Sequence, residues 1–402
     1  KALLRENPEN DFYRWGVGYC HLHLNVDKSE SIPFFLKVLS SEKADQEIWY
    51  DLGEAYMVTY QFDKAKDAFK NFIKSGVNDE HVISAVRMLE MISNAEIAMK
   101  NPVNVSIENV GDYINTPDPE FSPYINAGEK YMVFSSQNVS NSGRYRHEDG
   151  YYASDVYNSN FKFGKWRKKK GFSSMINSMN IEQNGYMSSN AAKLYVYKED
   201  LLGKNINHYV YTKRGRSYGY PEEIFIQGVD MAKVNSLVIS SDNQWIVFSA
   251  LNESKDRSDL DLYYSKYNPE GYWAEPSPFD STINTIYDES FPYFTPRNSN
   301  FIFASKGHNS IGGYDLFQCD LEIDSLVVGK PKNIGYPVNT PMDDKTISFN
   351  LSGRYAYIST LREEGIGDLD IYRVIFKDVS PIYSYIHGSI YDQDSIVFTK
   401  TV

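Results

Sequence analysis

One strand–turn–strand signature recurs along most of this chain and limits what it can become. It spans Ser122–Ser136, Ser236–Ala250, Phe291–Ser305 and Thr346–Thr360, with a degenerate copy at Asn184–Lys198. In each copy an apolar, period-two run flanks a polar turn, which is the mark of paired strands. A second landmark follows, an Asp-aliphatic-aromatic strand: Asp155-Val156-Tyr157, Asp261-Leu262-Tyr263, Asp315-Leu316-Phe317 and Asp370-Ile371-Tyr372. The degenerate copy offers His208-Tyr209-Val210-Tyr211 instead. A third landmark is a turn, seen at Gly164-Lys165-Trp166, Gly271-Tyr272-Trp273 and Gly329-Lys330-Pro331. It leads into Ile283-Asn284-Thr285 or Val338-Asn339-Thr340. Each unit therefore holds three strands and a fourth segment. Such units, repeated at roughly 50–60 residues, form the blades of a β-propeller. Five units can be counted, and the irregular stretch 137–235 leaves a sixth open.

Closure of the ring is also legible. Asn109–Thr116 matches Asn333–Thr340, so a fourth-strand segment precedes the first unit. The last unit ends near Phe376 without one. Residues 103–110 are predicted to supply it, since full closure removes the exposed edges of a sheet. The repeats resemble the TolB-type, WD40-like propeller repeat of bacterial envelope proteins over about 103–377. Ser122-Pro123, Phe134-Ser135-Ser136, Asp261-Leu262-Tyr263 and Ile283-Asn284-Thr285 carry that resemblance. The unit at 184–198 departs from it, lacking both the Pro and the Asp.

Residues 1–101 read differently. Trp49, Leu52, Gly53 and Tyr56 fall on one helix face, and Ala65, Phe69 and Phe72 on a second. A turn lies near Tyr60–Asp63, with Asp63 as the expected N-cap. The spacing resembles the tetratricopeptide repeat. Gly53 and Ala65 are small where two helices must meet, and Val77 stands in place of the final Pro. Phe12, Trp15, Gly16 and Tyr19 repeat the first-helix spacing, followed by a displaced helix over Ile32–Leu39 that carries Pro33. His81–Lys100, apolar at Val82, Ile83, Val86, Leu89 and Ile92, is expected to cover the end of the stack. Such repeats cannot bury their faces alone, so the stack is expected to begin upstream of Lys1. Its surface reads equally as a partner groove or as a spacer packed on the propeller. The predicted class is thus tetratricopeptide-type helices at 1–101, then an all-β propeller at 102–377.

Charge excludes some functions. The net charge of −12 disfavours nucleic acid and anionic membrane surfaces, which need a basic face. No apolar run is long enough to span a bilayer. Cys20 and Cys319 fall in different segments and fit no zinc spacing. No P-loop, dinucleotide fingerprint, nucleophile elbow or HExxH is present. His21 and His23, two apart on a helix, diverge too far to share a metal. The acid-rich stretches Asp256–Asp261 and Glu363–Asp370 could offer oxygens to calcium. Their recurrence at one blade position favours the structural alternative, in which Asp259 and Asp368 lie in turns while Asp261 and Asp370 bond backbone amides. No catalytic residue, metal or cofactor is expected.

The candidate binding residues are basic. Lys165–Lys170 is a cationic run that reads as a contact for an acidic partner or glycan, or as a solvated turn. Lys168 and Lys169 are singled out there. Arg144 and Arg146 lie in the long loop Gln137–Ser154, and Arg214 and Arg216 in Lys213–Glu223. Both segments read as blade insertions where partners dock.

After the linker Asp378–Pro381, Ile386–Asp392 resembles the first strand of a carboxypeptidase-regulatory-like sandwich, so 378–402 reads as the start of a third domain. The order of units resembles OmpA-family periplasmic proteins of Bacteroidetes that take part in type IX secretion. That resemblance implies a scaffold at the periplasmic side of the outer membrane, compatible with a lipid anchor, whose partners are envelope or secretion-system proteins. It also implies a C-terminal OmpA-like domain for peptidoglycan, which no residue here carries. The alternatives are a glycan- or peptide-binding propeller and a regulatory fragment of a peptidase.

Overall fold

The computed structural model describes residues 2–401 except 25, 43, 77–78, 148–149, 253–258, 382–386 and 393–394. Val77, Asp256 and Ile386 lie outside the described residues.

The repeated segments form five blades, so no sixth is hidden in 137–235. Blade one is Glu120–Ile125, Tyr131–Ser136 and Asp155–Lys162, edged by the short strands Lys165–Trp166 and Lys170–Gly171. Blade two is Ile181–Met187, Lys193–Glu199, Ile206–Arg214 and Ser217–Glu223. Lys213–Glu223 is therefore no insertion: most of it is the blade's outer strand, paired with its neighbour from Ser217 opposite Arg214. The missing Pro and Asp landmarks hid it. Blade three is Val234–Ile239, Trp245–Leu251, Leu260–Lys266 and Ser277–Pro278. Blade four is Glu289–Phe294, Asn300–Ser305, Asp315–Glu322 and Lys332–Asn333. Blade five is Ile347–Phe349, Tyr355–Thr360 and Asp370–Phe376. Its outer strand is Val105–Asn109, antiparallel to Asp370–Phe376 with Val105 opposite Phe376.

The recurring polar residues stitch neighbouring blades together. Asn115 accepts the Ile371 N–H at 2.9 Å and donates to the Ile371 carbonyl at 3.0 Å. Asn177 holds Val156, Asn284 holds Leu262 and Asn339 holds Leu316 in the same two-bond manner. Each asparagine sits just ahead of one blade and clamps the third strand of the preceding one. These bonds add to the blade's own ladder, since the Ile371, Val156, Leu262 and Leu316 carbonyls also accept the Val110, Phe172, Phe279 and Ile334 N–H groups. A carboxylate five residues later anchors the same turn: Glu120, Glu182, Glu289 and Asp344 accept from the backbone N–H and hydroxyl of Thr116, Ser178, Thr285 and Thr340. The third-strand aspartates are structural too. Asp155 and Asp315 accept the Ser142 and Ile311 N–H groups at 2.8 Å, and Asp370 accepts that of Ile366. Asp261 accepts from the Asn252 side chain at 2.6 Å. Blade two uses His208, whose Nε2 lies 3.0 Å from the Val234 carbonyl at the start of blade three. Burial lowers that imidazole to about 4, so it is neutral and can donate there.

The helical part comprises Asp11–His23, Ile32–Leu39, Ile48–Val58, Phe62–Ser75 and Asp79–Lys100, with a short helix at Ala2–Glu6. Phe35, Ile48, Leu52, Ala65, Phe69 and Phe72 make its core. A Cβ on Gly53 would lie 2.7 Å from the Phe69 ring, which explains the small residue. In the first long helix the equivalent close approach belongs to Gly18, against Phe35 at 2.7 Å, while Gly16 faces open space. Phe12 is 74% exposed, so the face chosen by spacing is not the buried one there. The N-cap of Phe62–Ser75 is Gln61, not Asp63, which lies inside the first turn. On the last helix Ile92 is buried and Val82 and Leu89 pack against the core as expected, but Ile83 and Val86 are exposed, and Ala85 and Ala95 face inward.

That last helix docks on blade four. The Arg87 guanidinium donates to the carbonyls of Lys306 at 2.9 Å and His308 at 3.1 Å, and lies 4.7 Å from the Tyr287 ring. Asn94 donates to the Ser310 carbonyl at 3.1 Å. At the other edge Tyr60 meets Tyr336 edge-on at 6.4 Å. The chain continues as a strand pair, His387–Asp392 with Ser395–Thr401.

Candidate ligand site at the channel mouth

The inner strands run from the helical side of the ring toward the far side. Near their starts four of them carry a register shift, in blades one, two, three and four. Ser122 and Phe291, each followed by Pro, take left-handed φ values of 51° at two of these bulges. A pre-proline residue is otherwise confined to extended backbone. Bulges of this kind redirect side chains at the rim of a sheet. Below the mouth the axis is plugged: Tyr124 packs against Tyr186 at 5.5 Å and Tyr293 at 6.0 Å, all three buried. The ring is therefore not an open pore.

Above the plug the helices roof a cavity of about 540 Å³. Leu22, His23, Lys28, Glu54, Met57 and Met88 line it from the helical side. Ser122, Gln137, Gln183, Phe291, Asp343, Lys345, Thr346 and Ser359 line it from the propeller. A second cavity of about 690 Å³ shares Ser122, Gln183, Phe291 and Thr346 and extends between blades two and three to Glu199, Ile206 and Leu260. The two meet at the mouth.

Burial governs the charges here. The Glu54 carboxyl is pushed up to about 8 by desolvation, with the Asp51 charge adding to it. Lys28 is lowered by burial, which Asp368 and Asp343 partly oppose. His23 is lowered by burial and then by Lys28. Burial alone would raise Asp343, but Lys345 at 2.9 Å and the Tyr314 N–H outweigh it and hold the carboxylate low. Taking a group out of water penalises its charged form, and a partner restores it.

The basic residues singled out by sequence do not converge. Arg144 and Arg146 lie at the mouth end, where Arg146 donates to the Gly150 carbonyl at 2.6 Å and lies 5.9 Å from the Tyr152 ring. Arg214 and Arg216 flank the exposed turn of blade two's outer hairpin, at the opposite end. Lys168 is exposed and lines a groove of about 370 Å³ with Lys162, Arg167 and Lys170. Lys169 is bound inward: its ammonium lies 2.5 Å from the buried Glu120 carboxylate. Sequence reading missed Lys28 and Glu54, which read as ordinary helical residues, and met Gln137 and Thr346 only as the first residues of the long loop and of the last repeat, not as cavity residues. The recurring residue-before-Pro at the bulges was the usable signal. Among the described residues no cluster of three or more acidic, His or Cys side chains could hold a metal, and no helix is long and apolar enough to cross a membrane. Cys20 and Cys319 are both free thiols.

The class is thus a five-bladed propeller roofed by helices. No family model matches the sequence, and no curated protein does. Solved structures with related backbones include a glycoside hydrolase, 6% identical, covering 72% of this chain and 95% of its own, with a TM-score of 0.46. The β-xylosidase RS223 is 12% identical, covering 65% and 93%, at 0.42. The β-propeller domain of the Trilobed protease from Pyrococcus furiosus is 11% identical, covering 67% and 74%, at 0.29.

Proposed function

We propose that this chain is a non-enzymatic interaction scaffold at the periplasmic side of the outer membrane, serving type IX secretion or related envelope machinery. The observation that carries the scaffold reading is the seam formed by Arg87 and Asn94 with residues 306–310. It holds helices and ring as one body with two separate faces for partners. The polar residues that recur along the propeller support the same reading, since they clamp blades and do not converge on a reaction centre. The order of helical repeats, propeller and a following β segment resembles PorE of that secretion system, and this resemblance supplies the address and the partner class.

Partner contact is assigned to the exposed stripe of Ile83, Val86 and Ile97 on the last helix, at 69%, 55% and 63% exposure. These residues share a helix face and remain free of the propeller. The test is affinity purification from the native envelope with mass-spectrometric identification. Outer-membrane type IX components should be retained by the wild type and lost with a triple Ile83→Glu, Val86→Glu, Ile97→Glu variant. Retention of none of them by the wild type, or turnover of peptide or ester substrates by the purified chain, overturns the proposal.

A further inference from the structure

The cavity under the helical roof holds an acid and a base that do not answer each other. Glu54 and Lys28 both line it, yet they form no ion pair, and no hydrogen bond reaches the Glu54 carboxyl from any described residue. Lys28 donates to the Leu24 carbonyl of its own segment. The Thr346 hydroxyl, at the mouth, is buried and has no partner either. Glu54 and Lys28 are half-buried and line the cavity, and the buried Thr346 hydroxyl left without a partner calls for an explanation. The remaining walls are mixed. Gln137 and Gln183 each offer an amide that can both donate and accept. Met57 and Met88 are flexible apolar surfaces that adapt to varied side chains. A cavity of about 540 Å³ falls within the usual range for small-molecule sites.

We propose that this cavity binds a short zwitterionic peptide, with its free amine on Glu54 and its free carboxylate on Lys28. Burial disfavours the charged forms of both Glu54 and Lys28, and a ligand that carries an amine and a carboxylate favours both again at once, whereas a neutral glycan favours neither. The peptide backbone between the two ends presents the alternating donors and acceptors that Gln137, Gln183 and Thr346 can meet. Its side chains lie against the two methionines. Entry runs through the shared mouth and the cleft between blades two and three. This assignment is independent of the secretion partner and stands or falls separately from it.

The test is calorimetric titration of the full chain with trialanine, N-acetyl-trialanine and trialanine amide. Trialanine should bind, and either blocking group should weaken binding tenfold or more, roughly the loss of one charge-assisted contact. In Glu54→Gln the acetyl group should cease to matter. In Lys28→Met the amide should cease to matter. The blocked peptides probe the wild type directly, so the result survives a variant that fails to fold. Absence of trialanine binding, equal binding of all three peptides, or capture of chitobiose with no peptide binding would each overturn the assignment.

Discussion

Asn109 donates to Asp370 at 2.9 Å, joining positions 261 residues apart. The same bond occurs inside blade four, where Asn333 donates to Asp315 at 2.7 Å. The likeness extends further. Asn109 accepts from Gly111 and Asn115, and Asn333 from Gly335 and Asn339, all within 2.8–2.9 Å. Ring closure therefore repeats a blade's internal chemistry with two distant segments. Asn109→Ala and Asn333→Ala should accordingly destabilise the protein alike, by about 1–3 kcal/mol, because each takes one of its hydrogen bonds from a buried carboxylate. Urea midpoints of the two variants check this. A normal midpoint for Asn109→Ala beside a lowered one for Asn333→Ala would mean that the closing strand adds nothing.

The helical glycines give a sharp contrast. Gly53→Ala should cost about 1–3 kcal/mol, since its new methyl group meets Phe69 at 2.7 Å in a fully packed core. Gly16→Ala meets nothing within 4 Å and should be neutral or stabilising by up to about 1 kcal/mol, as the helix gains a better former. Thermal unfolding of both variants decides it.

These cases mark what a sequence can disclose. Blade positions were legible because the same clamp recurs: Asn284 and Asn339 stand in matching turns and make matching bonds. Helix faces were half legible. Spacing picks Phe12 and Gly16 as readily as Trp49 and Gly53, but which face is covered depends on the neighbour each helix meets. The cavity was not legible at all. Glu54 and Thr346 are 292 residues apart, by subtraction of their positions, and become neighbours of one space only when the roof closes on the ring.

Lys169 separates a structural cation from a surface one. Glu120 is fully buried, and Lys169 is its counter-charge at 2.5 Å. Burial raises that carboxyl, and the Lys169 charge offsets part of the rise. Removing one member of a buried pair leaves the other uncompensated, at a cost of about 3–5 kcal/mol. Lys169→Met should accordingly lower the unfolding midpoint strongly, while Lys168→Met, on the exposed side, should leave it within about 0.5 kcal/mol. Chemical denaturation of both variants measures the difference. Equal midpoints would return Lys169 to the set of surface cations available for partners.

Stability should fall as the solution becomes more alkaline. Burial pushes both Glu289 and Asp344 up to about 7, while hydrogen bonds from Thr285, Ser305 and Thr340 offset only part of that rise. Unfolded carboxyls titrate near about 4. The folded state thus holds these protons more tightly than the unfolded state. The resulting stabilisation is fully present below about pH 4 and drains away as pH rises through about 7. Between pH 6 and 8 each group should withdraw about 1.4 kcal/mol, a tenfold change in its proton-linked equilibrium. The melting temperature should therefore be several degrees lower at pH 8 than at pH 6. Growing self-repulsion in an acidic chain acts in the same direction, so the variant is the deciding measurement. Asp344→Asn keeps an oxygen for the Thr340 N–H but cannot ionise, and its melting temperature should change visibly less between the two pH values. An Asp344→Asn profile parallel to that of the wild type would place the proton elsewhere.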